Sequence, residues 1–223
     1  FGYATRQSPD EEIGVMLKSA FSSLHNQKIL HVQSSHSATL SSIMTALHAR
    51  SEETEEHAQR LLELTAKIGR ELNLSQKSMA ELALIAKLHD IGKIGISDTI
   101  LNKPGPLTEA EWTVMRQHSE IGYRIALSLE DIAHVANDIL SHHERWDGTG
   151  YPHGLQGEAI PLPARILGIA DAYDAMTEDR VYRKAMSKEA ALSEILNQAG
   201  KQFEPSIRSE EHTSELQSRL HLV

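Results

Sequence analysis

The chain has 223 residues, no cysteine, 13 histidines and a formal net charge of −9. That length carries one or two domains with a sizeable core, and the absence of cysteine excludes a disulfide framework, a thiolate zinc site, an iron–sulfur cluster and a cysteine nucleophile. The acidic balance argues against a nucleic-acid polymer as partner, and apolar runs as short as Leu82–Ala86 leave no transmembrane helix or signal peptide.

The sequence opens on Phe rather than Met and so reads as a fragment or a processed piece. Phe1–Thr5 reads as a short strand, followed by a Ser8-Pro9 loop. Asp10 is placed to cap an amphipathic helix to about Leu30, with Ile13, Met16, Leu17, Phe21 and Leu24 on its apolar face. A Ser-rich connector over 33–39 follows. From about Leu40 onward the pattern is helical. Leu61, Leu64, Ile68 and Leu72 repeat at helical spacing, as do Leu82, Ile85, Ala86 and His89, with a break over Asn73–Ser75 between them. Thr108-Glu109-Ala110-Glu111 predicts a capping box opening one helix that carries Trp112, Met115, Ser119 and Tyr123. Gly148–Pro163, with four Gly and three Pro, predicts a long ordered loop. Pro163 starts a helix over Ala164–Met176, and Ser187 caps a last helix that stops at Gly200. With no sustained strand alternation after residue 40, the body is expected to be all-α.

Arg208–Ser218 (Arg-Ser-Glu-Glu-His-Thr-Ser-Glu-Leu-Gln-Ser) resembles the translation of a common DNA-sequencing adapter. We expect 208–223 to be a non-native tail and leave it out of the fold reasoning.

Histidine and acid carry the chemistry. His89-Asp90 ends an apolar helix and runs into Gly92-Lys93. An adjacent imidazole and carboxylate can serve neighbouring metal ions, although a satisfied helix-end histidine is the commoner outcome for such a pair alone. Glu53 and His57 share one helix face, a spacing that also suits a surface ion pair. His118 sits ten residues into the capped helix. His142-His143-Glu144-Arg145 sets two imidazoles before the glycine-rich loop. Asp171 lies within an apolar helix, where a buried carboxylate needs a partner. Five histidines (57, 89, 118, 142, 143) and three acids (Glu53, Asp90, Asp171) in such settings favour one joint metal site over eight separate accidents. His25, His31, His36, His48, His134 and His153 show no partner pattern.

His89-Asp90-Ile-Gly-Lys93, His142-His143-Glu-Arg-Trp-Asp-Gly-Thr-Gly-Tyr-Pro152 and Asp171 through Arg180-Val-Tyr-Arg183 resemble the HD-GYP family of HD-superfamily phosphohydrolases over about Leu47 to Ile207. The resemblance implies an HD-type helical bundle with extra C-terminal helices. It implies a bacterial signalling enzyme that hydrolyses cyclic di-GMP to pGpG, and onward to GMP as an open possibility, through a metal-bridging hydroxide. Two or three divalent ions, iron or manganese, are implied with it. His89, Asp90, His118, His142, His143 and Asp171 match the metal ligands, with Asp90 as the bridging carboxylate and a catalytic residue. Glu53 and His57 match the extra ligands of three-metal members. Lys93 matches the lysine on the scissile phosphate, and Arg180 and Arg183 match positions that bind guanine or phosphate, a solvated basic patch being the alternative. Tyr151, in the Gly150-Tyr151-Pro152 motif, is read as substrate-binding, while Trp146 is read as pinning the loop.

The electrostatics agree with this resemblance. A cyclic dinucleotide carries two phosphodiester charges, and an acidic protein must offset its own field to bind it. Two or three divalent cations bring roughly +4 to +6, and Lys93, Arg180 and Arg183 add to that. A non-catalytic cyclic-dinucleotide receptor and a hydrolase of another cyclic dinucleotide are the rival readings. Phe1–Thr5 and the helix ending in Asn26-Gln27-Lys28-Ile-Leu30 are similar to the last strand and helix of a GGDEF domain. The expected organisation is therefore a GGDEF remnant over 1–32, a linker over 33–46, the phosphodiesterase domain over 47–207 and the tail. A cytoplasmic location is expected, with membrane attachment through upstream segments and a homodimer both left open.

Overall fold

A computed structural model describes residues 40–47, 49, 55–179 and 184–208. The chain divides into two compact units, Phe1–Thr45 and Ala46–Val223. Of the first, residues 40–45 are described, and they are helical. The expected strand over Phe1–Thr5, the helix to Leu30, the serine-rich linker, the GGDEF likeness, Glu53, Arg180, Arg183 and the tail after 208 lie outside the described residues.

The second unit is all-α among the described residues, as the periodicity implied. Its longer helices are α1 (Glu55–Glu71), α2 (Gln76–Leu88), α3 (Asp98–Leu101), α4 (Glu109–Met115), α5 (Gln117–Ser128), α6 (Ala136–Ser141), α7 (Leu162–Thr177) and α8 (Lys188–Asn197), joined by short 3₁₀ turns. Only two isolated β-bridges, Asp147 with Gln156 and Ala199 with Phe203, interrupt that plan. Local chemistry explains several of the starts. Ser75 accepts from the Ser78 amide at the head of α2, and Ser187 accepts from Ala190 at the head of α8. The Thr108–Glu111 box forms in full, and its hydrogen bonds, with the Lys103 ammonium foremost, lower the Glu111 carboxyl to about 2. Pro163 falls inside the first turn of α7, where a missing amide costs nothing.

Two expectations need correction. The buried stripe of α1 is His57, Leu61, Thr65 and Gly69, so the helix is rotated relative to the leucine pattern, and Leu72 stands 43% exposed. A histidine therefore heads the face that enters the core. The helix predicted from Thr108 through Tyr123 breaks at Arg116 into α4 and α5. There His118 donates Nδ1–H to the Met115 carbonyl (2.7 Å) and Ser119 donates Oγ–H to the Arg116 carbonyl (3.0 Å). Side chains thus take carbonyls that a continuous helix would use itself.

Leu61, Leu82, Ile85, Ile91, Ile139 and Leu167 are fully enclosed and form the centre of the unit. α1 packs on α2, and both pack on α7, while α5 packs on α6 and on the 3₁₀ turn Ile91–Gly95. A second apolar cluster, Tyr173, Ala191, Leu192, Ile195 and Phe203, seats α8 and the following segment on α7. Burial of these side chains, each worth about 1.5–3 kcal/mol, holds the helix ends that carry the polar site.

Candidate metal centre

Close backbone approaches set the site. Gly92, in the turn after His89-Asp90, lies so near α5 that a Cβ there would meet the His118 carbonyl oxygen at 1.8 Å. Only glycine lets the turn bearing Asp90 touch the helix bearing His118. Gly150 plays the same part in the loop, where a Cβ would come within 2.5 Å of the Glu144 Cα. The Glu144 carboxylate then accepts from the amides of His153 (2.8 Å) and Leu155 (3.0 Å), tying the loop to the end of α6. The Tyr151–Pro152 peptide is cis.

Seven of the eight sequence-predicted ligands come together in two abutting groups. Asp90, His118, His142 and His143 form the first, and His57, His89 and Asp171 form the second. The eighth, Glu53, lies outside the described residues. Asp90 stands at the seam, with Oδ1 3.3 Å from His118 Nε2 and Oδ2 3.0 Å from His89 Nε2. The His89 ring lies 5.3 Å from that of His142 and 5.9 Å from that of His57.

The first group fits a cation on the chemistry of its donors. His142 donates Nδ1–H to the Ile139 carbonyl at 2.6 Å, as His118 does to Met115. A carbonyl only accepts, so both rings carry their proton on Nδ1 and present a bare Nε2. Those two Nε2 atoms face each other at 3.3 Å, with a carboxylate oxygen beside them. Lone pairs so arranged repel unless a positive centre lies among them. Burial first, and neighbouring imidazoles after it, push His142 and His143 well below the ordinary imidazole range, and burial lowers His118 as well. Burial opposes ionising Asp90, but its charged surroundings, the Lys93 ammonium foremost, outweigh it and hold the carboxyl well below its usual range. Neutral imidazoles around an ionised carboxylate are the protonation states that divalent ions require.

Asp171 corrects one premise. It was expected to be buried, yet its side chain is 30% exposed. The deeply buried carboxylate of α7 is Asp174, one turn on, at 3%. It accepts from His57 Nδ1 at 2.7 Å and from Arg60 Nε and Nη2 at 2.5 and 3.1 Å. Sequence reasoning missed Asp174 and Arg60. The signals present were an acid three residues after Asp171 on an apolar helix, and an arginine three after His57.

Lys93 Nζ donates to Asp90 Oδ2 at 2.9 Å. Tyr151 stacks on His143 (centroids 4.8 Å, 29°), with the Arg116 guanidinium 5.5 Å from its ring centre. Burial, then the Asp90 charge, raises the Tyr151 hydroxyl, so it stays a hydrogen-bond donor. Tyr151 lines a cleft of about 400 Å³ that His142, His143 and Asp171 share with Arg116, Arg145 and Arg165. The three arginines are further residues that sequence reasoning left out. Trp146 lines the same cleft; its amide donates to the Gln202 carbonyl, and Arg165 lies over its ring. His134 and His153 are exposed and outside both groups.

The geometry has counterparts among known proteins. A cyclic di-GMP phosphodiesterase response regulator, RpfG, of Xanthomonas campestris pv. campestris is 41% identical over 169 residues, 75% of this chain and 45% of the relative. A cyclic di-GMP phosphodiesterase of Thermotoga maritima is 43% identical over 160 residues, 71% of this chain and 44% of the relative. The chain thus spans less than half the length of these curated relatives. The crystal structure of a cyclic GMP-AMP specific phosphodiesterase from V. cholerae superposes with a TM-score of 0.60 at 25% identity, covering 79% of this chain and 47% of that one. The HD domain family model matches residues 41–207. With the helical plan and the paired histidine–aspartate groups already in place, that match over most of the chain means that the protein belongs to the HD domain family.

Proposed function

We propose that the protein is a metal-dependent phosphodiesterase of the HD-GYP type that hydrolyses cyclic di-GMP to pGpG, with GMP as a further product. The observation that carries this reading is the pair of abutting histidine–aspartate groups beside a cleft whose lining includes Arg116, Tyr151 and Asp171. Asp90, His118, His142 and His143 would hold one ion, His57, His89 and Asp171 a second, and Glu53 would complete a three-metal set. Iron and manganese both suit such ligands. Bound ions supply Lewis acidity at the phosphoryl oxygens and a water acidic enough to act as nucleophile near neutral pH.

The chain's own residues supply the rest. Asp90 lies within reach of both groups, beside His118 on one side and His89 on the other, and would serve an ion held in either. Lys93 is held beside Asp90 by charge, where its ammonium can neutralise a phosphoryl oxygen as negative charge builds on it. Arg116 and Tyr151 form a flat, cationic wall suited to a base or a second phosphate. Arg180 and Arg183 are proposed for the guanine or phosphate of the same substrate. The relatives' names support cyclic dinucleotides as the substrate class. Because a cyclic GMP-AMP specific phosphodiesterase shares the fold, that mixed dinucleotide is the second reading. A cytoplasmic setting, an upstream GGDEF or sensor domain and a homodimer go with the proposal. No helix among the described residues is long and apolar enough to cross a membrane.

The test is product analysis with Mn(II)- or Fe(II)-reconstituted protein and cyclic di-GMP. Wild type should release pGpG, and Asp90→Ala should lose at least about 100-fold in rate together with bound metal. Wild-type turnover by Asp90→Ala would sink the mechanism. Binding of intact cyclic di-GMP without product by metal-replete wild type would make the protein a receptor.

A further inference from the structure

We propose that Asp174 is the positioning residue that makes His57 a ligand, and that it decides whether the second group can hold an ion independently of the first. This rests on the metal-binding reading above.

The two groups orient their imidazoles by different means. His118 and His142 are held by main-chain carbonyls of the turn just before each of them. Those acceptors come with the helix and no substitution removes them. His57 has a side-chain acceptor from another helix, 117 residues away in sequence. Asp174 Oδ2 lies 2.7 Å from Nδ1, which fixes the proton there and leaves Nε2 bare toward Asp171, whose Oδ1 is 3.8 Å away. Asp174 is itself pinned: Arg60 donates Nε–H to Oδ1 and Nη2–H to Oδ2, a two-point grip that fixes the carboxylate plane. Arg60 and His57 come from adjacent turns of α1, and Asp174 and Asp171 from adjacent turns of α7. One face of α1 therefore meets one face of α7, with a ligand and a clamp residue on each.

A buried carboxylate needs such partners to stay ionised. Burial disfavours its charge, but the His57 and Arg60 hydrogen bonds more than offset this and lower the Asp174 carboxyl. A carboxylate behind a histidine also strengthens the ring as a donor, beyond what a neutral carbonyl does. An amide cannot replace it. Both oxygens of Asp174 already receive Arg60 donors, and Oδ2 also receives His57. An Asn NH₂ would face either Arg60 or His57 with donor against donor. Turned toward His57, it would favour the tautomer whose proton sits on Nε2, where the ligand lone pair is needed.

The test is metal binding by the full 223-residue chain, read by elemental analysis and by Mn(II) titration, which does not depend on turnover. Asp174→Asn should release one ion, or weaken one Mn(II) site about 10–100-fold, and leave the remaining stoichiometry as in wild type. Asp174→Glu should restore part of that affinity. In a His57→Gln background, Asp174→Asn should produce no further loss of metal, since the ring it orients is gone. Thermal unfolding of the metal-free proteins separates loss of fold from loss of orientation. If Asp174→Asn binds Mn(II) like wild type, the inference fails. It fails equally if both sites weaken together, or if the loss persists undiminished in the His57→Gln background, because Asp174 then only supports the fold. A wild-type chain that binds no Mn(II) or Fe(II) would instead remove the metal reading itself.

Discussion

The two ligand groups solve the same chemical problem with different degrees of security. Around Asp90, His118 and His142 are oriented by main-chain carbonyls three residues earlier in the chain, those of Met115 and Ile139, and Gly92 locks the Asp90 turn against α5. Around Asp171, His57 is oriented by Asp174 and Arg60, so the arrangement exists only while α1 and α7 stay packed. In the first group the His118 and His142 rings are set by nearby backbone, and packing is needed only to bring Asp90, His118, His142 and His143 together. A group built from side chains of two distant helices depends on tertiary packing and on single substitutions. Under the proposed metal reading, the first arrangement would hold its ion more securely than the second.

That contrast can be broken most directly with paired ligand substitutions. His118→Ala should cost at least about 100-fold in cyclic dinucleotide hydrolysis, because it opens the group that contains Asp90. His57→Ala should cost nearer 10-fold and release a single ion. Steady-state rates and metal content on the same preparations check both, and equal losses would mean that the groups act as one unit. The next effect in size concerns the contact between elements. Gly92→Ala forces the Asp90 turn off the His118 carbonyl and should lower stability by about 1–3 kcal/mol, read from urea unfolding, with metal lost from the first group before the second. Loss from the second group first would reverse the ranking of security.

The smallest expected effect lies outside both groups and shows what a half-buried carboxylate does without a cation. Asp138 on α6 is raised to about 6 by burial, with the Glu81 charge adding to it. Its folded state holds a proton more tightly than the unfolded chain, whose carboxylates titrate near pH 4. Stability is therefore lost as the pH rises between those values, and the penalty is complete above about pH 6. Asp138→Asn removes it, and after allowance for partial exposure should gain about 1 kcal/mol at pH 8, shrinking to nothing below about pH 4. Chemical denaturation at the two pH values measures the difference. A gain that is the same at both would show that the carboxylate is not the cause.

Much of the first group was legible in the residue order. His89-Asp90 and His142-His143 are adjacent in sequence; the first pair ends an apolar helix whose periodicity can be read, and the second stands just before the glycine-rich loop. Capping signals at Thr108 and Ser187 fixed two helix starts for the same reason: the donor and the acceptor lie within four residues of each other. The break at Arg116 was not legible, because it depends on His118 and Ser119 turning back to carbonyls that a continuous helix would also accept. Nor was the rotation of α1, where Leu64, Ile68 and Leu72 implied a different buried stripe from the one headed by His57.

The roles of Asp171 and Asp174 divide along the same line. Both are acids on an apolar helix, and the sequence alone makes either a candidate for burial. Which one is sealed and which one faces the cleft depends on the angle at which α7 meets α1, through contacts more than a hundred residues apart along the chain. The sequence by itself determined the helical class, the helix starts marked by capping residues and the list of residues able to bind metal, since those follow from local spacing and donor chemistry. Only the tertiary structure sorted that list into two groups and chose the clamp behind one of them, because burial and cross-helix hydrogen bonds are properties of packing.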